Sequence, residues 1–203
     1  MRMNDNGVGI FLDADGVLWP DTGAGGILEG LVEAKRRLRI LNQILERREN
    51  VFIGVVSNQT LAARAAIPFE DFRLEVFSTF NRLQEDSLID DFRVCFHHPN
   101  ANYLPLRIDN CSCRKPSPGM IIDLIKSHAL QPSHSLMLGD RITDVLAARN
   151  AGLNEAILLL GPRMLEANIS VQSRHWGSLI QFRIAKDFSE FLEILKWWIK
   201  NDK

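Results

Sequence analysis

Asp13 and Asp15 flank a single residue, Ala14, directly after the apolar run Val8 to Leu12. In an extended chain both carboxylates project to the same side, and two carboxylates so placed suit a divalent cation. Mg²⁺ prefers carboxylate and phosphate oxygens; with its charge in place, one carboxylate can attack phosphorus while the other handles a proton. Taken alone, Asp-Ala-Asp-Gly also reads as a solvated turn. A second polar group, Ser57-Asn58-Gln59-Thr60, follows Val51 to Val56. It offers a hydroxyl, amides and backbone N–H groups to phosphate oxygens, with helix capping by Ser57 or Thr60 as the plain alternative. Lys115, in Arg114-Lys115-Pro116, can pair with a nucleophile and a phosphate, or sit in a solvated basic turn. Finally, Gly139-Asp140-Arg141-Ile142-Thr143-Asp144 supplies Asp140 to complete a metal site and Asp144 to orient Lys115. Either acid could instead cap the helix that follows.

The elements that must carry these groups are legible from periodicity. Val8 to Leu12, Val51 to Val56, Phe92 to Phe96, Ser135 to Leu138 and Glu155 to Leu160 read as short buried strands. Leu28 to Leu45 places Leu31, Ala34, Leu38, Leu41 and Leu45 at helical spacing, and helices are also expected over Phe69 to Leu88, Met120 to Ala129 and Asp144 to Ala151. A closing helix over Asp187 to Lys200 puts Phe188, Phe191, Leu192, Leu195, Trp198 and Ile199 on one face, with Asp187 or Ser189 as N-cap. Strands alternating with helices predict an α/β fold, a three-layer Rossmann-like parallel sheet with helices on both faces. Sites in such sheets lie beyond the carboxyl ends of the strands, where all four polar groups fall. Neither the interval from Asp15 to Ser57 nor that from Asn58 to Lys115 has spare length for a separate cap domain. A single domain over residues 1–203 with an open site is expected.

Cys95-Phe96-His97 closes the third expected strand, and Cys111-Ser112-Cys113 runs into Arg114 and Lys115. One histidine and three cysteines suit tetrahedral Zn²⁺, although the one-residue gaps are tighter than usual finger spacing; the alternative is packing as buried thiols. With four protein ligands the ion would be structural. His98 is not expected to be a ligand, and His128, His134 and His175 have no visible partners. An odd count of 3 cysteines, two of them nearly adjacent, argues against a disulfide framework. The 203 residues, 46% apolar, suffice for one substantial core. With 24 Lys and Arg against 25 Asp and Glu, no field draws the molecule to nucleic acid or an anionic membrane. No apolar run approaches the roughly twenty residues that cross a bilayer, and the first residues lack an apolar leader core. A soluble, unprocessed cytoplasmic monomer is expected.

Asp13-Ala14-Asp15-Gly16-Val17, Ser57-Asn58, Lys115 and Gly139-Asp140-x-x-x-Asp144 together resemble the four motifs of the haloacid-dehalogenase-like (HAD-like) superfamily, over roughly residues 8 to 160. The resemblance implies that Asp13 is the nucleophile and forms an aspartyl-phosphate, and that Asp15 protonates the leaving alkoxide and then activates water. A second acid separates phosphatases from the dehalogenases of this superfamily. Ser57 and Lys115 would hold the phosphoryl group, and Asp13, the Asp15 carbonyl and Asp140 would ligate Mg²⁺. The stretch from Cys95 to Pro99, with Cys111 to Met120, is similar to the zinc loop of the heptose-bisphosphate phosphatases and related histidinol-phosphatases. That similarity implies ligands Cys95, His97, Cys111 and Cys113, substrate contacts from Arg114 and Arg141, and a substrate loop at Asp21-Thr22-Gly23-Ala24. The expected substrate is a small phosphorylated sugar. Ala14 stands where that family usually has arginine, Val17 where it has threonine, Leu61 where glycine follows the second motif, and Ala24 where the loop lacks its aromatic end. A histidinol-phosphatase is the alternative; an inactive zinc-stabilised binding protein and a polynucleotide 3′-phosphatase rank below it, since the four catalytic positions are kept and no basic, aromatic-interleaved stretch is present.

Overall fold

Strands buried on both faces need apolar residues at successive positions, and the first run supplies them: Ile10, Phe11 and Leu12 are all buried, with alternate side chains entering different layers. The computed structural model describes residues 7–20, 27–45, 50–64, 67–160 and 181–201. Its elements are β1 (Val8–Leu12), α1 (Ile27–Leu45), β2 (Val51–Asn58), α2 (Leu61–Arg64), α3 (Phe69–Glu85), β3 (Asp91–Cys95), α4 (Gly119–Ser127), β4 (Leu136–Gly139), α5 (Ile142–Asn150), β5 (Glu155–Leu159), β6 (Gln181–Ala185) and α6 (Phe188–Asn201). The six strands form one sheet in the order β3-β2-β1-β4-β5-β6, every neighbouring pair parallel. The direction of winding reverses between β1 and β4, and a crevice opens there at the carboxyl ends. β1 ends at Leu12 and β4 at Gly139, so Asp13 and Asp140 each follow directly on a strand at that crevice.

Two apolar clusters lie on opposite sides of the sheet. Ile10, Leu12, Ile53, Val55, Leu138 and Ile157 pack with Leu38 of α1, Phe80 of α3 and Phe191 of α6. Phe11, Phe52, Val56, Met137 and Leu158 pack with Ile121 and Leu124 of α4 and Val145 of α5. Period-two alternation along each strand thus divides the core between two helical layers, as the sequence predicts. Each fully buried large side chain contributes on the order of 1.5–3 kcal/mol by leaving water, enough to fix the sheet that holds the site. α6 closes the first layer, and its start is capped by Asp187, whose Oδ1 accepts the Glu190 amide at 2.9 Å.

Three features depart from the expected elements, the first being the one-turn helix α2 that follows β2. β2 runs two residues further than Val56, because Ser57 pairs with Val94 and Asn58 with Cys95 of β3. Ser57 and Asn58 are therefore the last residues of a strand, held by a ladder. A sixth strand, β6, pairs with β5 from Glu155↔Gln181 to Leu159↔Ala185. As an edge strand with the mixed sequence Gln-Phe-Arg-Ile-Ala, it carries no sustained apolar run to announce it. Among the described residues, the intervals expected to lack a cap domain hold α1 and β2, then α2, α3 and β3 with the loop before α4. No helix among them is long and apolar enough to cross a membrane.

Candidate active site

Lys115 comes from the loop before α4 and is buried beneath the strand ends. Its Nζ lies 2.8 Å from Asp13 Oδ1 and 2.7 Å from Asp144 Oδ1, and it donates to the Val56 carbonyl at 2.8 Å. The Lys115 backbone is held as firmly: its N–H donates to Asn58 Oδ1, and Asn58 Nδ2 donates back to the Lys115 carbonyl, both at 3.1 Å. Asp13 N–H donates to the Leu138 carbonyl at 2.9 Å, tying the end of β1 to β4. Asp144 has a double role. Its Oδ1 meets Lys115, while its Oδ2 accepts the Arg141 amide at 2.9 Å and so caps α5. Glycines make room for this packing. A Cβ on Gly139 would lie 2.2 Å from that of Asp144, and one on Gly16, whose φ is +82°, would lie 2.2 Å from Asp140 Oδ2.

Carboxylate oxygens of Asp13, Asp140 and Asp144 lie within 4.8 Å of one another, and all three residues are buried. One ammonium cannot neutralise three carboxylates. Burial pushes the Asp13 carboxyl up to about 8, against the pull of Lys115 and with Asp144 and Asp140 adding to the rise. Burial alone would lower Lys115, but Asp13 and Asp144 outweigh it and hold the ammonium above its usual value. A hard divalent cation fits this donor set, since it would supply the missing positive charge to oxygens already gathered. The linkage has a definite sign. A carboxyl raised from 3.8 to about 8 contributes stability below the lower value, and that contribution is lost as pH rises through the upper one. A divalent cation held by these oxygens would take the place of the proton. The increase in melting temperature on adding Mg²⁺ is therefore expected to be small near about pH 5 and several degrees near about pH 8, measured by thermal scans across that range.

Asp15 faces another way. Its Oδ1 accepts Trp19 Nε1–H at 2.7 Å and its Oδ2 accepts Gln59 Nε2–H at 2.8 Å, and the same Gln59 nitrogen donates to Ser57 Oγ at 3.0 Å. Ser57 is fully buried at the end of β2. The structure thus places Asp13, Asp15, Ser57, Lys115, Asp140 and Asp144 together near the strand ends. Asn58, expected to meet substrate, spends its side-chain amide on Lys115. Arg141 is exposed at the start of α5, its Nε 3.8 Å from Asp140 Oδ1. Thr60 follows β2, its carbonyl accepting the Ala63 amide. Asp21, Thr22, Gly23 and Ala24 lie outside the described residues. Trp19 was not anticipated; the available signal was that a buried indole N–H needs an acceptor.

The second cluster sits beside the first. Cys111 Sγ lies 3.1 Å from His97 Nδ1, 3.1 Å from Cys113 Sγ and 3.7 Å from Cys95 Sγ; His97 Nδ1 is also 3.7 Å from Cys95 and 3.4 Å from Cys113. A tetrahedral zinc with ordinary Zn–S and Zn–N bonds has ligand edges of roughly 3.5–3.8 Å, so these four atoms nearly form the required shell. The Cys113 thiol is pulled down to about 5, first by the neighbouring Cys95 thiol and then, against its burial, by its contacts with Cys111 and His97. A thiolate is the form that binds a soft metal. His98 stands apart, its Nδ1 accepting the Asn100 amide. His128, for which the sequence offered no partner, meets Asp91 at 2.9 Å and packs in a tilted contact against Phe52, ring centroids 4.3 Å apart.

Fold and site together define a HAD-like phosphoric monoester hydrolase, and the HAD-hydrolase-like family model matches residues 112–168. The D-glycero-beta-D-manno-heptose-1,7-bisphosphate 7-phosphatase of Rhodopseudomonas palustris is 32% identical over 149 residues, covering 70% of this chain and 78% of that protein. The chain belongs to this HAD-like family of heptose-bisphosphate phosphatases. The histidine biosynthesis bifunctional protein HisB of Actinobacillus pleuropneumoniae is 27% identical over 80% of this chain, which spans 43% of that longer protein. Among solved structures, the D,D-heptose 1,7-bisphosphate phosphatase of B. bronchiseptica, complexed with magnesium and phosphate, superposes with a TM-score of 0.63 at 22% identity, covering 93% of this chain and 97% of that one.

Proposed function

We propose that the protein removes the 7-phosphate of a heptose 1,7-bisphosphate in a Mg²⁺-dependent reaction that passes through an aspartyl-phosphate on Asp13. The observation that carries this reading is the buried Lys115 bonded to both Asp13 and Asp144, with Asp140 beside them and Asp15 held separately. Lys115 would hold Asp13 in place and neutralise charge on the phosphoryl oxygens. The Ser57 oxygen accepts from Gln59, so its own O–H proton is available to a phosphoryl oxygen. Asp13, Asp140 and the Asp15 carbonyl would hold Mg²⁺, which supplies charge neutralisation to the transferring phosphoryl. Asp13 attacks phosphorus, the bond to the sugar oxygen breaks, and Asp15 gives that oxygen its proton. Asp15 then takes a proton from the water that attacks phosphorus, and the bond to Asp13 breaks in turn.

The resemblance of the Cys95 to Pro99 and Cys111 to Met120 stretches leaves a second reading, a histidinol-phosphatase, and similarity to a histidine biosynthesis bifunctional protein favours keeping it. Purified protein supplied with Mg²⁺ and each substrate separates the two. We expect kcat/KM for D-glycero-D-manno-heptose 1,7-bisphosphate to exceed that for histidinol phosphate by at least about 100-fold, a difference of about 2.7 kcal/mol in transition-state binding. Equal turnover, or a preference for histidinol phosphate, removes the heptose assignment and leaves the phosphatase one.

A further inference from the structure

We propose that Trp19 and Gln59 are positioning residues that clamp the Asp15 carboxylate, and that through Gln59 the clamp also aims the Ser57 hydroxyl. The inference rests on the reading of Asp15 as the acid and base of the reaction. Each carboxylate oxygen accepts from a different donor, Oδ1 from Trp19 and Oδ2 from Gln59. Two donors on two oxygens fix the rotation of the carboxylate plane as well as its position, which one bond would leave loose. Both donors are N–H groups with no lone pair to offer, and an ionised carboxylate offers only acceptors, so the Gln59 nitrogen must face Asp15.

The donors are themselves immobile. Trp19 is fully buried and packs against Phe80 with ring centroids 5.9 Å apart. α1 crosses it at Gly30, where a Cβ would lie 2.5 Å from Trp19 Cβ. The backbone between Asp15 and Trp19 is a closed turn: Gly16 N–H donates to the Trp19 carbonyl at 2.8 Å, and Leu18 N–H to the Ala14 carbonyl at 2.8 Å. Gln59, 3% exposed, is anchored by its own N–H on the Cys95 carbonyl at 2.9 Å. One donor therefore comes from the core beside α1 and the other from the end of β2. Asp15 is held between them, and for a proton-transfer group a displacement of about 1 Å is costly.

A proton donor matters most when the leaving group is a poor one. The test compares kcat/KM for two Mg²⁺-supported probes: an alkyl monoester, the heptose bisphosphate or glycerol 3-phosphate in its place, whose departing alkoxide needs a proton, and p-nitrophenyl phosphate, whose leaving group does not. In Asp15→Asn the alkyl-to-aryl ratio is expected to fall by about 100-fold or more. In Trp19→Phe and in Gln59→Met it is expected to fall by about 10-fold, with KM for either probe changed less than about 3-fold. A purely structural defect lowers both probes together and leaves the ratio unchanged. Wild-type ratios in both clamp variants, with the ratio lost in Asp15→Asn, overturn the clamp and spare the reading of Asp15. An unchanged ratio in Asp15→Asn overturns both. Should Trp19→Phe fail to fold, Gln59→Met decides alone, since Gln59 lies at a strand end outside the main apolar clusters.

Discussion

Asp13→Asn is expected to lower kcat for phosphate release by at least about 10⁴-fold while leaving the fold in place. Asparagine nearly matches aspartate in shape, and its amide oxygen can still accept from Lys115 Nζ, which lies 2.8 Å from the native carboxylate. What is lost is the nucleophilic charge and the acyl-phosphate it would form. Stability should move the other way. Asp13 is one of three buried carboxylates around a single ammonium, and burial raises its pKa to about 8. Near pH 8 without Mg²⁺, removing that charge relieves the cost of keeping it buried, so the melting temperature of the variant should equal or exceed that of the wild type. Phosphate release, trapping of labelled phosphate on the protein and a thermal scan measure the three parts. Activity above about 1% of wild type would falsify the nucleophile assignment, whatever the scan shows.

The opposite directions of those effects say why the site is built as it is. Lys115 is 3% exposed and Asp144 1% exposed. Burying an ion pair is costly unless its geometry is good and its other bonds are satisfied. Here the Val56 carbonyl, Asn58 and the Arg141 amide all contribute to holding the two groups. A charge-rich cluster held this firmly does not reorganise when the phosphoryl group arrives, which is what electrostatic catalysis needs.

Much of this was legible in the sequence because it rests on short-range pattern. The run before Asp13 is apolar at every position, and the alternation of such runs with 3.6-period segments leaves few architectures besides a wound parallel sheet. Asp144 shows where pattern alone divides what structure unites. Helix capping and orientation of Lys115 looked like rival readings, yet one oxygen does each. Gln59 was expected to touch substrate, because nothing in Ser-Asn-Gln-Thr reveals that its amide reaches Asp15, 44 positions away. The Trp19 bond is local in sequence but depends on a turn passing through Gly16 at φ +82°, a conformation that the letters Asp-Gly permit without requiring. β6 was invisible for a related reason: only its pairing with β5 makes a strand of it.

If the Cys95, His97, Cys111 and Cys113 cluster holds zinc, removing the ion by chelation or by Cys111→Ser is expected to lower the melting temperature by about 10 °C and kcat/KM by about 10–100-fold. The reason lies in what the loop holds. His97 offers its carbonyl to Arg114 Nη1 at 3.0 Å, and Cys95 offers its own to the Gln59 amide at 2.9 Å. Ser112, between two of the candidate ligands, accepts the Gly119 amide at the start of α4. Cys113 stands two residues before Lys115. Loss of the ion would therefore loosen Arg114, Gln59 and Lys115 together, while Asp13 stays fixed on β1. In zinc-finger peptides the bound ion supplies roughly 10–16 kcal/mol of folding free energy. Here the sheet has its own core, so a smaller share, about 3–5 kcal/mol, should be at stake, which gives the expected shift for a chain of this size. If the thiols merely pack, Cys111→Ser should cost only about 1 kcal/mol, or about 2–4 °C, and metal analysis should find no zinc. Re-adding Zn²⁺ should restore stripped wild-type protein and leave the serine variant unchanged, and that asymmetry separates a metal site from a packed one.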